Sequence, residues 1–137
     1  MLSVTFCLTG CNETLTGVYG TFHSPNHPKH YPGGQYCSWR ITVRPGQQIH
    51  LKFTNFSLED GASTDVLEIY DGENETGISL GMFYGLKPPP KEGINSSSNH
   101  MFLIFKSDDT ISYTGFSAFY REGKFLGKLC THASNAG

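Results

Sequence analysis

The sequence predicts an all-β sandwich, and three observations support that prediction. No helical period persists for ten residues along the chain. Short runs of β-type residues recur instead, separated by Gly, Pro, Asn, Asp and Ser. The chain of 137 residues is rich in aromatic side chains, with ten Phe and seven Tyr, and only 16% of it is charged. This length and composition fit one packed domain rather than a disordered chain.

The first predicted strands lie in the middle of the chain. One begins after Cys37, where Trp39 and Ile41 fall on the same face. Residues 48–58 alternate between apolar and polar side chains, as a strand with one buried face does. Residues 65–70 form a third run, which a predicted turn at Asp71–Gly72 closes. These runs indicate half-buried strands joined by turns.

Two later runs complete the predicted sheets. Residues 101–105 are apolar on both faces, which is typical of a central strand. In residues 116–120, Phe116, Ala118 and Tyr120 alternate with the residues between them. Proline-rich stretches at 24–32 and 87–90 are predicted to be loops. Many short strands at this spacing favour a sandwich.

Charge and hydropathy exclude two classes of partner. The net charge is −2 and no run of Lys or Arg occurs, so a nucleic-acid partner is not expected. The longest apolar run, 101–105, is far shorter than the roughly 20 residues of a membrane-spanning helix.

Residues 1–8 lack a basic start and a clear cleavage site, so they are not interpreted as a signal peptide. The natural chain is expected to extend further on at least one side.

Cysteines and glycosylation motifs together predict an extracellular location. The even number of cysteines, with no C-x-x-C pair, favours disulfides over a zinc ribbon or a redox site. Those cysteines are Cys7, Cys11, Cys37 and Cys130. Four Asn-x-Ser/Thr motifs are predicted N-glycosylation sites, although such motifs also arise as simple polar turns. They begin at Asn12, Asn55, Asn74 and Asn95.

Several segments, taken in order, resemble a CUB domain. They are GTFHSPNHPKHYP at 20–32, CSWRI at 37–41, GQQIHLKF at 46–53, FSLE at 56–59, DVLEIYDG at 65–72, LGMF at 80–83, FKSD at 105–108 and YTGF at 113–116. The resemblance covers about Cys11 to Tyr120. It implies two antiparallel sheets in a jelly-roll-like sandwich, of the kind found in secreted and cell-surface proteins. We therefore expect the domain over 11–122, an N-terminal flank over 1–10 and a C-terminal flank over 123–137.

The resemblance also implies a disulfide between Cys11 and Cys37. The second disulfide of the family would fall near Ala62 and at Tyr84, where this chain has no cysteine. This reduced pattern looks like CUB domains of chains that alternate CUB and sushi modules. Of the cysteines left over, Cys7 is expected to pair either with Cys130 or with a partner outside this chain.

In many CUB domains a calcium ion is held at one end of the sandwich, and the matching residues here are Glu59, Asp65 and Asp108, supported by Tyr31. Calcium prefers six to eight oxygen ligands, which carboxylates, carbonyls and water supply. Asp109, carbonyls near Thr110 and water would complete the shell. Loop 60–64, which joins Glu59 to Asp65, is shorter than usual for the family. Its length affects where these two side chains place their ligand oxygens. The competing interpretation is that these acids are solvated turn residues.

A site of this kind implies ionic recognition of a partner protein through a Lys or Arg side chain, without catalysis. Such charge-assisted contacts weaken with salt and with chelator. Two enzyme interpretations are disfavoured. Pro25 and Pro28 prevent the histidine string His23, His27 and His30 from lining one helix face as zinc ligands. A glycosidase pair of Glu59 and Asp65 lacks a deep cleft in so small a domain.

Two other functions stay open from the sequence. A glycan-binding, adhesin-like module would use the histidine-rich loop with Arg40 and Arg44. A structural spacer within a larger modular protein would have no ligand of its own. Neighbouring modules are expected in each case.

Overall fold

The computed structural model describes residues 11–61 and 64–125, and within them the chain forms nine strands and no helix. The strands are β1 Asn12–Leu15, β2 Tyr19–His23, β3 Tyr36–Thr42, β4 Gln48–Ser57, β5 Val66–Asp71, β6 Ile78–Phe83, β7 Ile94–Asn95, β8 His100–Lys106 and β9 Gly115–Gly123. The predicted all-β class is confirmed. In these two ranges no helix is long and apolar enough to cross a membrane.

Two sheets pack face to face. One has the strand order β1-β3-β8-β5-β6 and the other has the order β2-β9-β4-β7. The described pairings are antiparallel, as expected, except that β1 runs parallel to β3. The predicted disulfide between Cys11 and Cys37 joins the starts of these two parallel strands, with a Cα–Cα distance of 4.9 Å. The disulfide therefore anchors an edge strand that is only four residues long.

The core lies between the sheets and follows the alternation seen in the sequence. Phe116, Ala118 and Tyr120 of β9 are all at most 2% exposed, and Trp39 packs edge-on against Phe116 at 5.5 Å between ring centroids. Strand β8 is buried on both faces, as predicted. On its outer face the side chain of Arg40 covers the ring of Phe102, with the guanidinium carbon 5.4 Å from the ring centroid.

Four strands escape sequence-based prediction because each lies at a sheet edge and buries little. Strand β6 shows no clear alternation, and its register shifts opposite the Ile69–Tyr70 step of β5. The predicted turn at Asp71–Gly72 is also longer than a two-residue hairpin. Strand β5 includes Asp71, and residues 72–77 connect it to β6. Asn74 organises that connection, since its Oδ1 accepts a hydrogen bond of 2.9 Å from Thr76 N.

The sandwich has two distinct ends. Strands β4 and β8 finish at one end, where β5 begins, and we refer to it as the acidic end. The opposite, far end contains the β3–β4 loop and the finish of β9. Strand β1 starts at the acidic end, whereas the nine residues of β9 carry the chain about 30 Å to the far end. Cys7 and Cys130 lie outside the described residues, so their pairing and the two flank assignments stay predictions.

Candidate metal centre

Asp65 is the most deeply buried carboxylate at the acidic end, with no exposed surface. It immediately precedes β5, and two donors fix its two oxygens. The hydroxyl of Tyr31 donates to Oδ2 at 2.5 Å, and the backbone N–H of Asp108 donates to Oδ1 at 2.8 Å. Burial still raises the pKa of Asp65, although these hydrogen bonds favour its ionised form. The side chain is thus held rigidly with its charge poorly solvated.

Asp108 follows the end of β8 by two residues and is half-buried. Its Oδ1 accepts hydrogen bonds from the backbone N–H of Thr110 at 3.0 Å and from its hydroxyl at 2.8 Å. These bonds lower the pKa of Asp108. The loop backbone is fixed by Gly34, whose N–H donates to the Asp108 carbonyl at 2.9 Å. A Cβ on Gly33 would lie 3.0 Å from that same oxygen, so the close approach favours glycine there.

Glu59 follows the end of β4 by two residues, and its carbonyl accepts a hydrogen bond of 2.9 Å from Gly85 N. Within 11–61 and 64–125, its Oε1 is the one buried side-chain oxygen or nitrogen without a hydrogen-bond partner. Burial raises the pKa of Glu59, and the charges of Asp108, Asp65 and Asp60 raise it further. A buried oxygen left unpaired in this way is costly unless something outside the chain satisfies it.

One ligand oxygen from each of Glu59, Asp65 and Asp108 lies within 4.8 Å of the other two. The structure thus brings together all three side chains that the sequence predicts as metal ligands. The ion pairs of the described residues involve other carboxylates, namely Glu122, Glu73 and Glu68. Three carboxylates at this separation repel one another. Hard oxygen donors with one unsatisfied member fit a hard divalent cation such as Ca²⁺.

Two predicted supporting residues behave differently. Tyr31 is 2% exposed, and its N–H donates to the Tyr113 carbonyl at 3.0 Å, so it holds Asp65 from a fixed position. Asp109 is exposed and is not a member of the three-carboxylate cluster. Its Oδ1 lies 2.8 Å from where a Cβ of Gly34 would be, which places it beside the glycine loop. The contribution of Asp109 to completing the calcium shell stays a prediction.

The histidine string does not form a metal cluster in the described part of the chain. The Nδ1 of His23 lies 2.8 Å from the Ser24 carbonyl, and that of His27 lies 2.7 Å from the Thr114 carbonyl. His30 is exposed. Two of the three imidazoles therefore use one ring nitrogen to fix the loop.

All four predicted glycosylation residues, Asn12, Asn55, Asn74 and Asn95, are exposed. Asn12 begins β1, Asn74 lies in the β5–β6 connection, and Asn55 and Asn95 lie in the four-stranded sheet. None of them belongs to the carboxylate cluster. Their glycosylation stays a prediction.

Sequence reasoning missed the residues that position the carboxylates through the backbone. They are Gly33, Gly34 and Gly85, together with the hydroxyl of Thr110. The Gly33–Gly34 pair is the only sequence signal among them, because adjacent glycines often mark a close backbone approach.

A family model described as CUB domain matches residues 11–120. Human cubilin is 49% identical over 115 residues, which are 82% of this chain and 3% of that protein. Mouse membrane frizzled-related protein is 45% identical over 115 residues, again 82% of this chain and 19% of the relative. The chain thus spans only a small part of these relatives.

Solved structures give the same result. The CUB1-EGF-CUB2 domains of rat MASP-1 superpose with a TM-score of 0.75 at 25% identity, covering 86% of this chain and 45% of that one. A MASP-1 CUB2 domain described as bound to Ca²⁺ has a TM-score of 0.69 at 29% identity, covering 80% and 96%. Three observations indicate the same family. They are the match over residues 11–120, the two-sheet topology and the Cys11–Cys37 disulfide. This chain belongs to the CUB domain family.

Proposed function

We propose that this chain is an extracellular, non-catalytic recognition module that binds a partner protein through a calcium-ordered acidic site. The observation that carries the proposal is the unpartnered, buried Oε1 of Glu59 on a side chain that has a carboxylate oxygen within 4.8 Å of carboxylate oxygens of Asp65 and Asp108. The calcium-bound MASP-1 CUB2 domain supports it as a related structure. The zebrafish Gpr126 structure, described as an extracellular region, supports the location.

Calcium, when bound, would supply the positive charge that this cluster lacks. Glu59, Asp65 and Asp108 would hold it, because carboxylate oxygens are its preferred ligands. Tyr31 and the Asp108 N–H keep Asp65 in place, and Thr110 keeps Asp108 in place. Glu59 and Asp108 are half-buried, whereas Asp65 is fully buried, so a partner would reach the site from the side of Glu59 and Asp108.

A basic side chain of a partner fits this arrangement best. One divalent cation leaves one negative charge among three carboxylates, and a Lys or Arg head group offers charge-assisted hydrogen bonds to it. The contact lies at the protein surface, so added salt weakens it. The zinc metalloproteinase nas-39 of Caenorhabditis elegans is 42% identical over 112 residues, but only 12% of that protein is covered. Its name therefore assigns no proteolysis to this module.

Calorimetric titration of the folded chain with Ca²⁺ tests the calcium part of the proposal. We expect saturable heat and a rise in the unfolding temperature for the wild type. Asp108→Asn is expected to abolish both, because it removes one ligand charge. Glu92→Gln is the matched control, since Glu92 is exposed and outside the carboxylate cluster.

The control variant should titrate like the wild type. Absence of calcium heat and of a thermal shift in the wild-type chain at millimolar Ca²⁺ would contradict the proposal and favour the spacer interpretation.

A further inference from the structure

The turns that hold the carboxylate cluster also carry exposed apolar side chains, and we propose that these select partners whose basic residue has apolar neighbours. This inference rests on the proposed function. The apolar rim, as we define it, consists of Leu86, Ile111 and Tyr113, which are 75%, 58% and 36% exposed. Its occupant would be a protein loop carrying a Lys or Arg with an aliphatic residue next to it.

Leu86 is held beside Glu59 by backbone hydrogen bonds. Tyr84 and Lys87 form two reciprocal bonds, with Tyr84 N donating to Lys87 O at 3.1 Å and Lys87 N donating to Tyr84 O at 2.9 Å. Gly85, within this turn, donates to the Glu59 carbonyl at 2.9 Å. Because neighbouring Cα atoms are about 3.8 Å apart and Leu86 directly follows Gly85, the backbone of Leu86 lies close to the backbone of Glu59. The turn presents an apolar side chain that packs against little of its own chain.

Ile111 and Tyr113 are held on the side of Asp108. Thr110 donates two hydrogen bonds to the Asp108 side chain, and Ile111 follows it directly. The Tyr113 carbonyl accepts from Tyr31 N, and the Tyr31 hydroxyl in turn bonds Asp65. The same contacts that position the carboxylates therefore position the rim.

The apolar rim determines which residues a partner needs around its basic side chain. Single exposed apolar residues are common on proteins, but here three of them lie on the turns whose hydrogen bonds hold Glu59 and Asp108. Apolar contact beside a charge pair excludes water and strengthens the pair. The aliphatic stem of Lys or Arg itself packs on apolar surface. A loop with a basic residue between aliphatic residues satisfies the carboxylates and the rim together.

Two biotinylated peptides immobilised densely on a streptavidin sensor test this inference with the folded chain in solution. One is Gly-Leu-Lys-Leu-Gly and the other is Gly-Ser-Lys-Ser-Gly, each measured in 5 mM Ca²⁺ and in EDTA. Since burial of leucine side chains is favourable, we expect the leucine peptide to bind at least about fivefold more tightly in calcium.

The double variant Leu86→Ser/Ile111→Ser should remove this preference while its calorimetric Ca²⁺ titration stays unchanged. Ile78→Ser is the matched control, because Ile78 is 76% exposed and begins β6 at the far end. The control should keep the preference.

The outcomes separate this inference from the proposed function. Equal, calcium-dependent binding of both peptides would overturn the rim and leave the acidic site standing. A leucine preference that persists in the double variant, or in EDTA, would also overturn the rim. Binding of neither peptide in a calcium-dependent manner would overturn the recognition mechanism and the rim with it.

Discussion

The two ends of the sandwich use carboxylates in opposite ways. At the far end Glu122 is paired with Arg44, and Glu73 lies 3.7 Å from a ring nitrogen of His100. At the acidic end Glu59, Asp65 and Asp108 gather within 4.8 Å without a Lys, Arg or His ion-pair partner in the described residues. The far-end carboxylates Glu122 and Glu73 have basic partners within the chain, whereas the three-carboxylate cluster has none among the described residues.

The pKa values of one residue type express this difference. Hydrogen bonds from Arg44 lower the pKa of Glu122, whereas burial and three neighbouring acids raise the pKa of Glu59. A lowered carboxyl pKa contributes stability at neutral pH, which is lost as the pH falls through the folded-state value. A raised carboxyl pKa has the opposite effect on stability. Ionised Glu59 therefore destabilises the calcium-free fold, and this penalty is fully present at a pH above the folded-state pKa of Glu59. Calcium would reverse that penalty.

Neutralising one glutamate at each end should have opposite effects, and this is the largest contrast we expect. In EDTA at pH 7.4, Glu59→Gln should raise the unfolding temperature because it removes a repelling charge. Glu122→Gln should lower it because Arg44 loses its partner. In calcium, Glu59→Gln should weaken ion binding by at least about tenfold, whereas Glu122→Gln should bind like the wild type. Thermal unfolding and calorimetry measure both quantities.

Shifts of the unfolding temperature in the same direction for both variants in EDTA would contradict the proposed difference between the two ends. Unchanged calcium affinity of Glu59→Gln would contradict it as well.

Two buried tyrosines at opposite ends give a smaller contrast. The Tyr31 hydroxyl supports Asp65, whereas the Tyr120 hydroxyl donates to the Gly17 carbonyl at 3.0 Å. Tyr31→Phe leaves the buried Asp65 carboxylate without one of its donors and should cost about 1–3 kcal/mol of unfolding free energy. Tyr120→Phe frees the carbonyl of the exposed Gly17, which water can satisfy, and should cost only about 0.5–1.5 kcal/mol. Only Tyr31→Phe should also weaken calcium binding, by about 10–100-fold, because it frees a ligand to move.

Denaturant unfolding and calcium titration of the two variants check this prediction. Equal calcium affinity in both would mean that Tyr31 serves stability alone and does not position Asp65.

The sequence predicts those strands whose inner side chains are fully buried. Alternation identifies β4 and β9 because their inner residues, such as Leu51 and Phe116, are fully buried. The resemblance to CUB domains identifies Glu59, Asp65 and Asp108, which then prove to converge. The edge strands β1, β2, β6 and β7 are not predictable in this way, since short strands with one pairing partner carry little hydrophobic signal.

The support around the carboxylates is also invisible in the sequence, because it is made by the backbone. Gly34 and Gly85 donate N–H groups to the carbonyls of Asp108 and Glu59, and residue type alone does not reveal such contacts. The parallel pairing of β1 with β3 is equally hidden, because four residues carry no pattern that distinguishes parallel from antiparallel partners. Contacts that depend on loops meeting in space emerge only from the fold.

Crystallographic density at the acidic end, from crystals grown in calcium, would decide whether the three carboxylates bind an ion. We expect one ion about 2.3–2.6 Å from oxygens of Glu59, Asp65 and Asp108, with Glu59 Oε1 no longer unpartnered. Side chains that point apart around ordinary water in saturating calcium would contradict this expectation.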